Sequence, residues 1–334
     1  MALRQSLRKG LPVLLFGLLL LLPLTNPSAN TVRLLLTTAV WIITSIGWNL
    51  LGGLTGQVSF GFAVFYGLGA YATALMINAG RSPYFAFLGG IAVAVLASFL
   101  VGLPTFRLRG PYFAIATIGV GEATRVIMNN LDITGGASGY RIVEHTPFRQ
   151  LEHYYSAVII AAIALAISAL VFHSKFGLAL RAIKQDQEAA ADLGVNPYLS
   201  KLWVHAIAAG LTGVAGGLYA RYHAFIYPGD VFAFQTSIYI LLMPVIGGIG
   251  TVWGPVLGGV IFGMVEEELT VHFQNTHLLL YGLLLILIIL FEPDGLVGLL
   301  RRLSKKLKSR RSREDSGSND PEQILRRRGG VEGR

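Results

Sequence analysis

Apolar residues fall along this chain in long blocks separated by short polar stretches. Ten blocks of helical length stand out, at residues 11–28, 32–51, 58–77, 85–106, 111–129, 154–173, 202–220, 236–248, 254–269 and 277–292. A helix of about 20 apolar residues rises about 30 Å, the thickness of a bilayer's hydrocarbon core. The alternating ten-residue segments of a transmembrane barrel are absent. The pattern predicts an all-α polytopic membrane protein of about ten transmembrane or partly re-entrant helices. The eighth block is too short to cross as one regular helix, so a broken or re-entrant segment is expected there. If the chain is two five-helix halves, their odd span number makes them inverted copies.

Composition supports this reading. The 334 residues are 53% hydrophobic and 13% charged, whereas soluble domains carry about 25% charged residues. Most of the chain therefore cannot face water. With no cysteine, disulfides and Cys-ligated metals are excluded. The net charge of +9 is no nucleic-acid signal, because basic residues collect in the tail "RRLSKKLKSRRSR" (301–313) and the loop from Lys175 to Lys201. Lys and Arg are retained on the cytoplasmic side, which places both segments inside and 130–153 outside. An even number of spans puts the N-terminus inside as well, in agreement with Arg4, Arg8 and Lys9. The expected organisation is a membrane domain over 1–300 and a basic cytoplasmic tail over 301–334, disordered against anionic lipid headgroups. The first block has a rival reading as a cleaved signal peptide ending at "NPSA", which would leave nine spans.

Several polar features sit inside or beside the spans. "GLTGQVSFGFAVFYGLGAY" (53–71) places Gly53, Gly56 and Gly61 around Gln57 and Ser59. Glycine permits close helix approach, and it permits a break where the freed backbone faces protein or water. Two readings stay open: these residues only pack helices, or Gln57 and Ser59 lie at the start of an inward-pointing helix whose N-terminus suits a carboxylate. The turn "GGIGTVWGP" carries Gly247, Gly248 and Gly250 in a similar composition. Glu122 and Arg125 lie three apart on one helix face, either as a structural pair or in contact with a zwitterionic substrate. Tyr112, at the start of the same span, is a further pathway candidate. His205 reads as a core histidine rather than a ligand. Glu266, Glu267 and Glu268 are expected to mark the external end of the ninth span.

The loop "KFGLALRAIKQDQEAAADLGVNPYLSK" (175–201) is helix-forming from Leu178 to Leu193. Gly194 supplies a stop, and Asn196-Pro197 prevents continuation. Ala189, Ala190, Ala191 and Leu193 offer little area to bury in lipid and suit close packing on a protein. Glu188-Ala189-Ala190, three residues and then Gly194 resemble the EAA loop of bacterial ABC-importer permeases. The fuller stretch "GLALRAIKQDQEAAADLGVNPYLSKL", with 53–71, 107–139, 241–259 and "FEPDGLVGL" (291–299), resembles the branched-chain amino acid permease family, its LivM-type subunit in particular, over residues 33 to 300.

That resemblance implies a permease subunit in a bacterial inner membrane. In it, Glu188, Ala189, Ala190 and Gly194 would couple to an ATPase. It also implies a second related permease subunit, two ATPase subunits carrying ATP and Mg, and an external binding protein that delivers substrate. This chain holds no G-x-x-x-x-G-K-[ST] loop, so it cannot bind ATP by that route, and no cofactor or metal is expected in it. Urea or short amides are the alternative cargo. An ion-coupled secondary transporter is a further alternative, with only Glu122 as a coupling acid.

Overall fold

The computed structural model describes residues 28–143, 149–272 and 295–299, together with Leu283 and Arg302. Nearly all of the first and tenth predicted spans, and the basic tail beyond Arg302, lie outside the described residues. Within them the chain is almost wholly helical. α1 (Ala29–Trp48) continues into a π-helical turn at Asn49–Gly53. α2 (Phe62–Asn78), α3 (Pro83–Thr105) and α4 (Pro111–Asn129) follow. α5 (Gln150–His173) precedes two short helices, α6 (Lys175–Gln185) and α7 (Gln187–Asp192). The long α8 (Pro197–His223) leads to α9 (Pro228–Val231), α10 (Phe234–Gly247) and α11 (Gly254–His272).

Among the described residues, five helical stretches are long and apolar enough to cross a membrane: Ala29–Gly53, Pro83–Thr105, Gln150–His173, Pro197–His223 and Pro228–Gly247. Phe62–Asn78 and Gly254–Glu266 are shorter apolar helices. The eighth predicted block gains length by an extension. α9 precedes α10 after an interruption at Phe232-Ala233, and together they reach 20 residues. α4 coincides with the fifth predicted block, yet Glu122 and Arg125 keep it out of the apolar set.

α1 and α8 form the centre. α8 packs against α2 and α3, while α1 packs against α10, α11 and α5, and the two cross each other. Small residues make this possible. At Gly69 and at Gly216 a methyl group would overlap the backbone of the facing helix, at Gly213 and Tyr66 respectively. Between membrane helices, van der Waals packing rather than water exclusion favours contact, so close backbone approach stabilises directly. Trp48, Phe62, Phe65, Phe232 and Phe262 fill the core around these crossings.

The loops gather at two ends. At one end a short antiparallel ribbon joins Tyr140–Arg141 to Phe225–Ile226. There Asn78 donates to the Arg141 carbonyl and accepts from the Val143 amide. At the other end lie residues 54–61, 106–110, the α6–α7 corner and the turn 248–253. The two Gly-rich turns, at Gly53 and Gly250, touch each other at this same end.

Candidate functional site

The loop from 175 to 201 folds as two helices rather than the single one its helix-forming residues predict. Asp186 leaves helical geometry (φ −154°, ψ 117°), and its carboxylate accepts the amides of Glu188 at 2.8 Å and Ala189 at 3.1 Å. An acidic side chain is among the best N-caps, and here it restarts the helix. The other end closes as predicted. Gly194 sits at φ +86°, its amide bonds the Ala191 carbonyl at 2.9 Å, and the Val195 amide bonds that of Ala190 at 3.1 Å. This paired closure around a left-handed glycine is a Schellman motif. α7 is thus fixed at both ends. Ala190 is buried against the body, whereas Glu188 and Ala189 are exposed, and Leu193 is 84% exposed.

Three side-chain contacts hold this corner to the membrane helices. Lys184 donates to the Gly53 carbonyl at 3.0 Å. Lys201, buried at the start of α8, donates to Gln187 at 2.6 Å. Arg109, in the turn before α4, pairs with Glu188 at 2.8 Å. Both partners of that last pair are well exposed, so it contributes at most about 1 kcal/mol. A cavity of about 260 Å³ opens between these contacts, with Gln57, Arg109, Asp186, Glu188 and Lys201 in its wall. The structure therefore brings Gln57 and Glu188 to one place.

Ser59 goes elsewhere. It is 1% exposed, its hydroxyl accepts the Gly61 amide at 3.3 Å, and its carbonyl accepts the Trp48 indole N–H at 2.8 Å. Gly61 is the N-cap residue of α2. The amides around that terminus are occupied by hydroxyls from other helices. Thr117 accepts from Phe60 at 3.1 Å, and Ser237 accepts from Ala63 at 3.0 Å. A Cβ at Gly61 would lie 2.9 Å from the Thr117 carbonyl oxygen, so glycine there lets α4 cross.

Glu122 and Arg125 pair with each other on α4. That helix buries only Phe113, Thr117 and Met128, and Tyr112 is 71% exposed. The apolar helix Gly254–Glu266 ends at the first of the three glutamates while α11 itself continues to His272, and Glu266 accepts the Trp41 indole N–H at 2.7 Å. The side chains of Glu267 and Glu268 lie outside the described residues. His205 is buried, edge-on to Phe65 and Phe106. Gly247 packs against the backbone of Gly254 and Gly258, while Gly248 and Gly250 hold positive φ in the turn. Asn49 and Lys184 had no motif to announce them. Asn49, a polar residue inside an apolar block, leaves that as its signal; Lys184, in a basic loop, leaves none. Arg221 and Glu152 pair at 2.8 Å at the opposite end, another contact that spacing does not reveal.

Residues 30–289 match the family model for the permease component of branched-chain amino acid transport systems. The chain is 30% identical to the high-affinity branched-chain amino acid transport permease protein LivM of Escherichia coli, over 82% of this chain and 71% of the relative. It is 25% identical to the permease protein LivH of the same organism, over 78% of this chain and 92% of that one. A probable LivM from Methanocaldococcus jannaschii is 24% identical over 79% of this chain and 92% of its own length. No solved structure gives a significant match. The buried helix crossings and capped loop described above thus lie in a chain that belongs to the family of branched-chain amino acid transport permease components.

Proposed function

We propose that this chain is the membrane-spanning subunit of an ATP-driven importer of branched-chain amino acids, and that α7 is where the ATPase acts on it. The observation that carries this reading is the construction of α7. A helix capped at both ends, with Ala190 turned inward and Glu188, Ala189 and Leu193 outward, presents a small rigid knob that a cleft in another protein can hold. An ATPase seated there would move α7 as a unit and, through the corner, the membrane helices behind it.

The basic tail and the 175–201 loop favour a cytoplasmic position for this end. ATP and Mg then belong to two ATPase subunits on the cytoplasmic side. A second related permease supplies the other wall of the pathway, and an external binding protein brings the amino acid. α4 is the wall contributed by this chain. Its ionised pair is costly against lipid and is expected to face protein or water. Ten spans in two inverted halves fit the helix exchange at the centre. The second helix of the second half, α8, packs among α2 and α3 of the first, and α1, the second helix of the first half, packs among α10 and α11 in return.

The test is uptake of labelled leucine into vesicles holding the copurified complex, with the binding protein outside and ATP inside. Uptake that requires ATP and is not displaced by excess urea is the expected result. Uptake by this chain alone, driven by a proton gradient, would make it a secondary transporter. Displacement by urea would make amides the cargo.

A further inference from the structure

We infer that Lys184 is the positioning residue through which the α6–α7 corner holds the loop-end turns of the membrane domain in register. The inference rests on the coupling role proposed for α7 and names the path behind it.

The last carbonyls of a helix lack an amide donor from the following turn and carry the negative end of the helix dipole. α1 ends in this way at Gly53, where the π-helical turn closes. The ammonium of Lys184 reaches across from α6 and donates to that carbonyl at 3.0 Å. Gly53 cannot be displaced alone, because it is wedged against a second turn. A Cβ built on it would lie 2.8 Å from the Gly250 amide nitrogen.

Asn49, one turn earlier and fully buried, pins the same two segments. Its carbonyl oxygen accepts the Gly250 amide at 2.8 Å, and its amide donates to the Thr251 carbonyl at 2.9 Å. Thr251 in turn accepts the Gly254 amide at 2.9 Å, at the first residue of α11. A path therefore runs from α6 through the Lys184 bond to Gly53, along the π-helical turn to Asn49, and through the Asn49 and Thr251 hydrogen bonds to the start of α11. It crosses from the coupling loop to both Gly-rich turns. The rest of α6 grips the body through apolar contacts at Leu180 and Ile183. Those contacts fix where α6 lies, whereas the ammonium fixes which carbonyl it holds.

The test uses the complete complex, reconstituted with its ATPases and binding protein. Lys184→Met keeps the chain length and helix propensity but removes the donor. Lys184→Arg keeps charge and donors. Arg181→Met, one turn earlier on α6, removes an equal charge from the same helix. For Lys184→Met, uptake per assembled complex is expected to fall roughly tenfold, the scale of one lost charge-assisted hydrogen bond. Stimulation of ATPase activity by the loaded binding protein is expected to fall with it, while basal ATPase activity persists. Lys184→Arg should recover most of both, and Arg181→Met should retain both. Wild-type uptake and stimulation in Lys184→Met would overturn the inference. So would an equal loss in Arg181→Met, or loss of assembly in Lys184→Met, which would make Lys184 a packing residue. Gly194→Val separates the two levels: if it uncouples while Lys184→Met does not, only this path is wrong, and if neither uncouples, the coupling role of α7 fails.

Discussion

Ser237 and Thr117 do for α2 what a local cap does for most helices. Each is buried, and each accepts an amide at the start of α2 from a different helix. Ser237→Ala leaves the Ala63 amide without its partner in an apolar surround. That should cost about 1–3 kcal/mol and lower the unfolding temperature of the detergent-purified chain. Ser59→Ala should cost less, because the Ser59 hydroxyl serves only the Gly61 amide two residues on at 3.3 Å. A larger loss from Ser59→Ala than from Ser237→Ala would contradict this division. The stretch at 53–71 advertises its polar residues, but spacing cannot say which amides are already taken. The acceptors lie 57 and 174 residues away. The same limit hid Lys184 and Asn49, whose partners come from other elements. The glycines were more legible, since the need for close approach is written in the residue itself.

At the scale of elements, the break between α6 and α7 depends on one carboxylate. Asp186→Ala removes the N-cap and should destabilise α7 by about 1 kcal/mol, within a range of about 0.5–2. Asp186→Asn should retain most of the cap. Amide exchange in the loop reads this directly: faster exchange at Glu188 and Ala189 in the alanine variant, near-normal exchange in the asparagine variant. Equal exchange in all three would mean the cap is not what holds α7. The end of this helix was legible, because glycine followed by Asn-Pro has few alternatives to a stop. The break was not, because alanine and glutamine on both sides, with Lys184 before and Glu188 after, favour helix and mask a capping residue within the run. Span boundaries were legible for a similar reason. Blocks of apolar residues fix α1, α3, α4 and α5 to within a few residues. α2 starts later than its block suggests, at Phe62, since the chain before it is spent on the Gly56 turn, at φ +73°, and on the buried Ser59.

At the scale of the whole molecule, one end carries the α6–α7 corner and the other the 130–143 segment with its ribbon. A single cysteine placed at Ser138 should react with a membrane-impermeant reagent from outside, and one at Asp192 only from inside. Labelling of the Ser138 site from the cytoplasmic side alone would reverse the orientation. The packing of α1 against α10 and α11, and of α8 against α2 and α3, could not be read from apolar blocks, which report lengths but not neighbours. The central claim is that force from ATP enters at α7, and Gly194→Val tests it most directly. A Cβ at Gly194 would meet no other residue within 4 Å, so lack of space is not what opposes the valine. Its cost comes from φ +86°, about 1 kcal/mol or more for a residue with a β-carbon, and falls on the closure of α7 alone. The measurement is ATPase stimulation by the loaded binding protein in reconstituted vesicles, with leucine uptake followed in parallel. A complex that assembles in normal amounts but shows neither stimulation nor uptake is the predicted result; wild-type stimulation and uptake would contradict the account.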